Sequence, residues 1–432
     1  MPFHELQQEL KTRAAQGLLR QRGTMQSPQS PHIIVDGKPY LSFCSNDYLG
    51  LANHPQLITA LQQGAAQYGV GAGAAHLVSG HTQAHHELEI ALAAFVGKPA
   101  ALLFSTGYMA NLGVVQALVG KGDTVFADKL NHSSLNDAML LSRADVKRYR
   151  HNDIAHLARL SEKCENTSSS RREQGEMQGA AQLATRHTEV VDEERVSTRH
   201  SRSHAQQTDR GVGRKLIITD AVFSMDGDLA PLPELLALCE QHNAWLLVDD
   251  AHGFGMLGRQ GRGSMAHFKI DSPRIIYMAT LGKAAGVSGA FVAAEQVVID
   301  TLINHARSYV YTTATPPALA SAVLASLRLI EQGGELRAHL QRLIAQLRSG
   351  LGDLQWKLMP STTAIQPLLI GDNQQALKLS EGLRERGIWV AAIRPPTVPQ
   401  GTARLRITLS AAHTESDVEQ LVGELHDLAQ ES

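Results

Sequence analysis

The stretch WLLVDDAH (Trp245–His252) decides the fold. A short apolar run without helical spacing ends abruptly in two aspartates and a histidine, the pattern of a strand buried on both faces that delivers charge at its carboxyl end. The same grammar recurs on either side, in AALLF (Ala100–Phe104), TVFA (Thr124–Ala127), KLIIT (Lys215–Thr219) and IIYM (Ile275–Met278). Helix-spaced stretches such as Leu232–His242 lie between them. Apolar strands alternating with helices predict an α/β fold, with a mostly parallel central sheet covered by helices on both faces.

Further out, the pattern changes. Residues 45–294 carry the α/β rhythm. Beyond 295, long helical stretches (Ala318–Gln332, Leu336–Gly350) precede strand-like Ala364–Ile370 and Thr402–Leu409, which predicts a smaller C-terminal α+β domain over 295–432. Residues 1–44 predict an amphipathic helix with Phe3, Leu6 and Leu10 on one face and Leu18 and Leu19 continuing it. A strand pair over His32–Val35 and Tyr40–Phe43, turned at Asp36-Gly37, follows. Residues 165–213 break the rhythm. They are polar, mixed in charge and poor in large apolar side chains, as expected of a mobile surface insertion. His200 and His204 within it have the i, i+4 spacing of metal ligands, a pattern a solvated loop shows equally well.

Bulk composition sets limits. The 432 residues hold 40 basic against 42 acidic side chains, a net charge of -2 that gives no general attraction to nucleic acid or membrane surfaces. The three cysteines (Cys44, Cys164, Cys239) are scattered, as in a reduced, cytoplasmic protein without a disulfide framework. No secretory signal is expected at the N-terminus, and no apolar run reaches the roughly 20 residues that span a bilayer.

Four segments have the residue types of a site. In TLGK (Thr280–Lys283), a lone lysine follows a buried strand among small residues. An amine there has a lowered pKa suited to Schiff-base chemistry, although a surface-loop lysine would look the same. Asp249 and His252 stand where ligands of open α/β sheets bind, beyond a strand's carboxyl end. Asp250 reads as a cap or a solvent contact. In LLFSTGYMAN (Leu102–Asn111), a strand leads into a helix start, whose N–H groups suit a phosphate. His132 follows the strand TVFA and fits either stacking on an aromatic ligand or an ordinary loop hydrogen bond. Gly69–Gly73 and Gly80 mark tight backbone turns or the close approach of a ligand, without the GxGxxG spacing of a dinucleotide site.

In order, SNDYLGL (Ser45–Leu51), Phe104–Asn111, NHSSL (Asn131–Leu135), Thr219–Leu232, VDDAHG (Val248–Gly253), Thr280–Lys283 with Val287–Gly289, and RLRIT (Arg404–Thr408) resemble the α-oxoamine synthase family of fold-type-I pyridoxal-phosphate (PLP) enzymes. The resemblance covers nearly the whole chain apart from 165–213. It implies a homodimeric PLP-dependent acyltransferase in which Lys283 forms the Schiff base. Asp249 would face the pyridine nitrogen, His252 the phenolic oxygen and His132 the ring face. Gly107, Tyr108, Ser224 and Thr280 would lie near the phosphate, with Thr313 reaching the phosphate of a neighbouring subunit. Asn46 would lie by the substrate, and Arg406 would bind the amino-acid carboxylate. Arg20 and Thr397 would contact the acyl group, with Arg394 a second choice. Within the family, Ala392–Arg406 and Ile365–Asn373 are similar to the branch that condenses L-alanine with pimeloyl-CoA or pimeloyl-ACP, losing carbon dioxide, toward biotin. The alternatives are a glycine-using relative of the 2-amino-3-ketobutyrate CoA ligase or 5-aminolevulinate synthase kind, a fold-type-I aminotransferase, and a catalytically silent partner subunit, which would lack the lysine.

Overall fold

The computed structural model describes residues 2–20, 22–165 and 213–431. The expected insertion at 165–213 lies outside the described residues except at its two ends. The strands are β1 (His32–Val35), β2 (Lys38–Ser42), β3 (Ala100–Phe104), β4 (Thr124–Asp128), β5 (Asp145–Tyr149), β6 (Lys215–Asp220) and β7 (Trp245–Asp249). They continue with β8 (Ile275–Thr280), β9 (Ala290–Ala294), β10 (Lys357–Leu358), β11 (Ile365–Gly371), β12 (Ile388–Trp389), β13 (Ala391–Ile393) and β14 (Ala403–Thr408).

Seven of these form the central sheet, in the order β3-β9-β8-β7-β6-β4-β5. The pairs from β8 to β5 are parallel, and β9 alone runs antiparallel to both neighbours. Strand β3 therefore runs the same way as β8, so Phe104, Asp220, Asp249 and Thr280 all end at one edge of the sheet.

Side chains alternate between two cores, as the strand period of two requires. Phe126, Ile217, Leu246, Val248, Tyr277 and Phe291 face one core, packed by Leu88, Leu92 and Phe95 of helix Gln83–Val96 and by Ile330 of helix Pro317–Gln332. Val125, Leu216, Ile218, Leu247, Ile276 and Met278 face the other, covered by Val114 and Val115 of helix Gly107–Leu118 and Leu135 of helix Ser133–Ser142. Each fully buried Leu, Ile or Phe contributes roughly 1.5–3 kcal/mol, so both faces hold the sheet rigidly.

A second sheet, β10-β11-β14-β13, is antiparallel and carries the C-terminal arginines. A third joins the N-terminal hairpin β1-β2 to β12, with β2 and β12 parallel, so the first strands are built into C-terminal structure. Two local expectations need correction. The second hairpin strand is Lys38–Ser42, shifted back because Pro39 and Lys38 complete the register with β1. The first helix ends at Ala15 and buries none of its side chains against the described residues, leaving Phe3, Leu6 and Leu10 exposed. Leu18 and Leu19 lie past it, since Gly17 at φ 66 breaks the helical backbone. No helix among the described residues is long and apolar enough to cross a membrane.

Candidate active site

Lys283 sits just past β8, on a turn closed by Gly286 N–H donating to Lys283 O at 2.8 Å. Gly286 has φ 68, and a Cβ there would strike the backbone of Leu51 and Ala52 at 2.6 Å. The turn thus presses against SNDYLGL, and only glycine permits that approach. The Lys283 Nζ lies 3.1 Å from His252 Nε2, and His252 Nδ1 lies 2.5 Å from the Tyr48 hydroxyl. Burial pushes the Lys283 amine below its ordinary value, opposed by the fields of Asp249 and Asp220 and aided by Arg406. Burial, then Lys283, Arg406 and His132, hold His252 well below the usual imidazole range, which keeps it neutral.

Asp249 ends β7, opposite Asp220 on β6, and both are buried. Its Oδ2 accepts from Asn111 Nδ2 at 2.8 Å and its Oδ1 from Ala251 N–H at 3.0 Å. Asn111 Nδ2 also donates to Ser134 Oγ at 2.9 Å, and Ser134 Oγ contacts His132 Nδ1 at 2.8 Å. The His132 N–H donates to Asp220 Oδ2 at 2.7 Å. One hydrogen-bonded chain therefore runs from Asp249 through Asn111 and Ser134 to His132. Burial raises Asp220 well above the carboxylate range, with Asp249 adding to it, and lowers His132 against the pull of Asp249.

Helix Gly107–Leu118 starts beside Thr280, capped by Thr106 Oγ1 accepting from Met109 N–H at 3.2 Å. A Cβ on Gly107 would fall 2.5 Å from Thr280 Cγ2, so glycine is needed for the helix start to reach β8. Thr280 Oγ1 is buried and, among the described residues, has no hydrogen-bond partner. A phosphate at that helix start would satisfy it and meet free backbone donors. The site therefore suits PLP: an amine at Lys283, a buried carboxylate at Asp249 and a phosphate cradle at Gly107 and Thr280.

Arg406 enters from the second sheet. Its Nε donates to Ser224 O at 2.7 Å, its guanidinium to Thr408 Oγ1 at 3.0 Å and to Asn46 Oδ1 at 3.2 Å. Arg404, two residues earlier on the same face of β14, pairs with Asp226. The loop from Ala221 to Asp228 thus locks the two sheets together. Its far side is held by His151, which stands between Asp128 (3.0 Å) and Asp228 (2.8 Å). Arg20 and Thr397 meet at 3.2 Å, beside a cavity of about 330 Å³ that Arg394 also lines.

Lys283, His252, Asp249, His132, Thr280, Gly107, Asn46, Ser224 and Arg406 therefore come together, with Arg20 and Thr397 paired in their own cavity. Tyr108 and Thr313 make contacts elsewhere. Tyr108 is partly exposed and its hydroxyl donates to Asp137. Thr313 forms a backbone bridge with Ala75. Asp250 is no solvent contact. It is fully buried, accepting from Ser264 N–H at 2.7 Å and the Tyr277 hydroxyl at 2.8 Å, so its carboxylate ties the loop at Ser264 to β8. Gly80 packs on the backbone of Ala74, a tight turn within the chain itself. Sequence reading gave no role to Asn111, Ser134 or Tyr48, although all lie inside the motifs quoted for it. The available signal was helix spacing, since Asn111 follows Gly107 by one turn.

A family model, Aminotransferase class I and II, matches residues 38–425. The 8-amino-7-oxononanoate synthase of Nitrosospira multiformis is 57% identical over 98% of this chain and 95% of its own. A solved serine palmitoyltransferase from S. paucimobilis with bound PLP–myriocin aldimine superposes at TM-score 0.83 and 26% identity, covering 99% of this chain and 97% of its own. The crystal structure of 8-amino-7-oxononanoate synthase from Francisella tularensis gives 0.70 and 28% over 90% of this chain and 98% of its own.

Proposed function

Because the chain belongs to the class I and II aminotransferase family, on its 8-amino-7-oxononanoate synthase branch, and is a PLP-dependent acyltransferase of biotin biosynthesis, we propose that it condenses L-alanine with a pimeloyl thioester. The products are 8-amino-7-oxononanoate, the free thiol of CoA or ACP, and carbon dioxide. The observation that carries this reading is the buried amine of Lys283, 3.1 Å from a neutral His252 and in the same cluster as Arg406.

When bound, PLP supplies an electron sink that stabilises negative charge at an amino-acid Cα. The chain's own residues do the rest. Lys283 would hold the cofactor's aldehyde carbon and, once released, take the alanine Cα proton onto Nζ. Asp249, oriented by Asn111 and Ala251, would keep a proton on the ring nitrogen. His132 would lie on the ring face and His252 by the phenolic oxygen. Gly107 and Thr280 would hold the phosphate, with Tyr108 and Ser224 at its margin. Arg406, with Asn46 beside it, would bind the alanine carboxylate and set the Cα–H bond for removal. Arg20 and Thr397 would receive the acyl chain. The alanine Cα would then bond to the thioester carbonyl carbon as the thiolate leaves, the carboxylate would depart as carbon dioxide leaving its electron pair on Cα, and a proton would return to that carbon to give the product.

We also assign Thr313 to the cofactor phosphate of a second subunit, which would make the enzyme a homodimer with shared sites. Mass spectrometry of the product from alanine and pimeloyl-CoA tests the reading. The expected mass is that of 8-amino-7-oxononanoate, with one carbon dioxide released per thiol. Amino-group exchange with a keto acid and no carbon dioxide would overturn it.

A further inference from the structure

Away from Lys283, histidines crowd the start of helix Gln83–Val96, and hydrogen bonding sorts them. His85 is committed. Its Nδ1 accepts from Thr82 N–H at 3.1 Å, so its proton lies on Nε2, which contacts Thr315 O at 2.8 Å. His76 and His81 face each other through Nδ1 atoms 3.1 Å apart, an arrangement that requires one ring to donate and the other to accept. Burial, followed by neighbouring histidines, lowers both, so both rings are neutral near pH 7. His76 is pinned by stacking on Tyr309 at 5.1 Å.

If His81 Nδ1 donates to His76, the Nε2 lone pair of His81 is left free on the side facing Glu89. The two atoms there, His81 Nε2 and Glu89 Oε2, are 3.9 Å apart, too far for a hydrogen bond. Glu89 Oε1 is occupied by Leu103 N–H at 2.9 Å. His86 stands one turn before Glu89 on the same helix face, and ligand atoms of His81, His86 and Glu89 all lie within 4.8 Å of one another. Zinc bonds of about 2.0–2.2 Å span roughly 3.4 Å across a tetrahedral corner, so small side-chain rotations close the site. All three residues line a cavity of about 620 Å³, which gives an ion a route in.

We propose that His81, His86 and Glu89 bind a divalent transition metal of the zinc class, with His76 orienting His81 through its second ring nitrogen. Two imidazoles and a carboxylate favour Zn²⁺ or Ni²⁺ over Mg²⁺ or Ca²⁺, which prefer all-oxygen shells. The ion would neutralise Glu89 and tie the loop before the helix to its first turns. A fourth position stays open to water.

The test is calorimetric titration of the chelator-stripped, PLP-loaded full-length protein with ZnCl₂. A single saturable site per chain is expected. His86→Ala and Glu89→Gln should each weaken it at least about tenfold, and His76→Ala, which removes the orienting partner, by about tenfold. His86 is exposed, and Glu89→Gln keeps the acceptor for Leu103, so the fold should survive both changes; the circular dichroism melt checks this. The double variant His200→Ala/His204→Ala should bind as the parent does. Absence of a saturable site, unchanged binding in His86→Ala and Glu89→Gln, or loss of the site in the His200/His204 variant would each overturn the proposal.

Discussion

Lys283 Nζ and His252 Nε2 are 3.1 Å apart, and both groups are pushed toward their neutral forms by burial. A lysine held this way is a nucleophile and a base in waiting. Replacing Lys283 with Ala should remove the cofactor's protein-linked absorbance and lower turnover by about 10³-fold or more. Borohydride reduction followed by peptide mapping should place the pyridoxyl group on Lys283 in the parent and nowhere in the variant. Alanine-dependent activity retained in Lys283→Ala would refute the assignment.

Asn111 should be a positioning residue. Its amide is the only side chain bridging Asp249 to Ser134 and, through it, to His132 among the described residues. Asn111→Ala frees Asp249 to rotate and should lower kcat by about 10–100-fold, the range for lost orienting partners. The KM for the acyl thioester should stay near the parent value. A parallel rise in that KM would point to general damage.

Arg406 reaches its partners through three separate guanidinium bonds, a geometry lysine cannot copy. Arg406→Lys should raise the KM for alanine by about 10–100-fold, equivalent to losing a charged hydrogen bond of roughly 1.5–3 kcal/mol. Steady-state kinetics with alanine and acyl thioester varied separately will show whether the loss is confined to the amino acid, as expected.

His151 gives a pH signature. Burial opposes its charge, but hydrogen bonds to Asp128 and Asp228 and their fields outweigh burial and raise it to about 10. A folded pKa above the unfolded value of about 6.5 means that the folded state binds the extra proton. Its stabilisation is complete below about pH 6.5 and is lost as pH rises through about 10. His151→Gln should therefore lower the urea midpoint most at pH 6 and least above pH 10. An equal loss at both pH values would show that packing, not charge, holds the Ala221–Asp228 loop.

Much of this was legible in the residues because it is local. WLLVD, KLIIT and IIYM read as strands covered on both sides, since consecutive side chains within them (Leu246–Val248, Leu216–Ile218, Ile275–Ile276) are apolar and so face both ways. Asp249, His252 and Lys283 could be picked out because charge at the end of such a strand has no place in a core. The first helix forms where its apolar spacing predicts, over His4–Ala15. Phe3, Leu6 and Leu10 carry the spacing of an apolar face, but spacing cannot say what covers it, and nothing among the described residues does.

By itself the sequence determined the elements, their order and the motifs at their ends, because hydrophobic period and turn chemistry act over a few residues. Only the tertiary structure decided which ends converge. Asn111 meets Asp249 across 138 positions, and Arg406 meets Asn46 across 360. Those contacts depend on strand order and on how the second sheet docks over the Ala221–Asp228 loop, properties of the packed whole that no short window of residues contains.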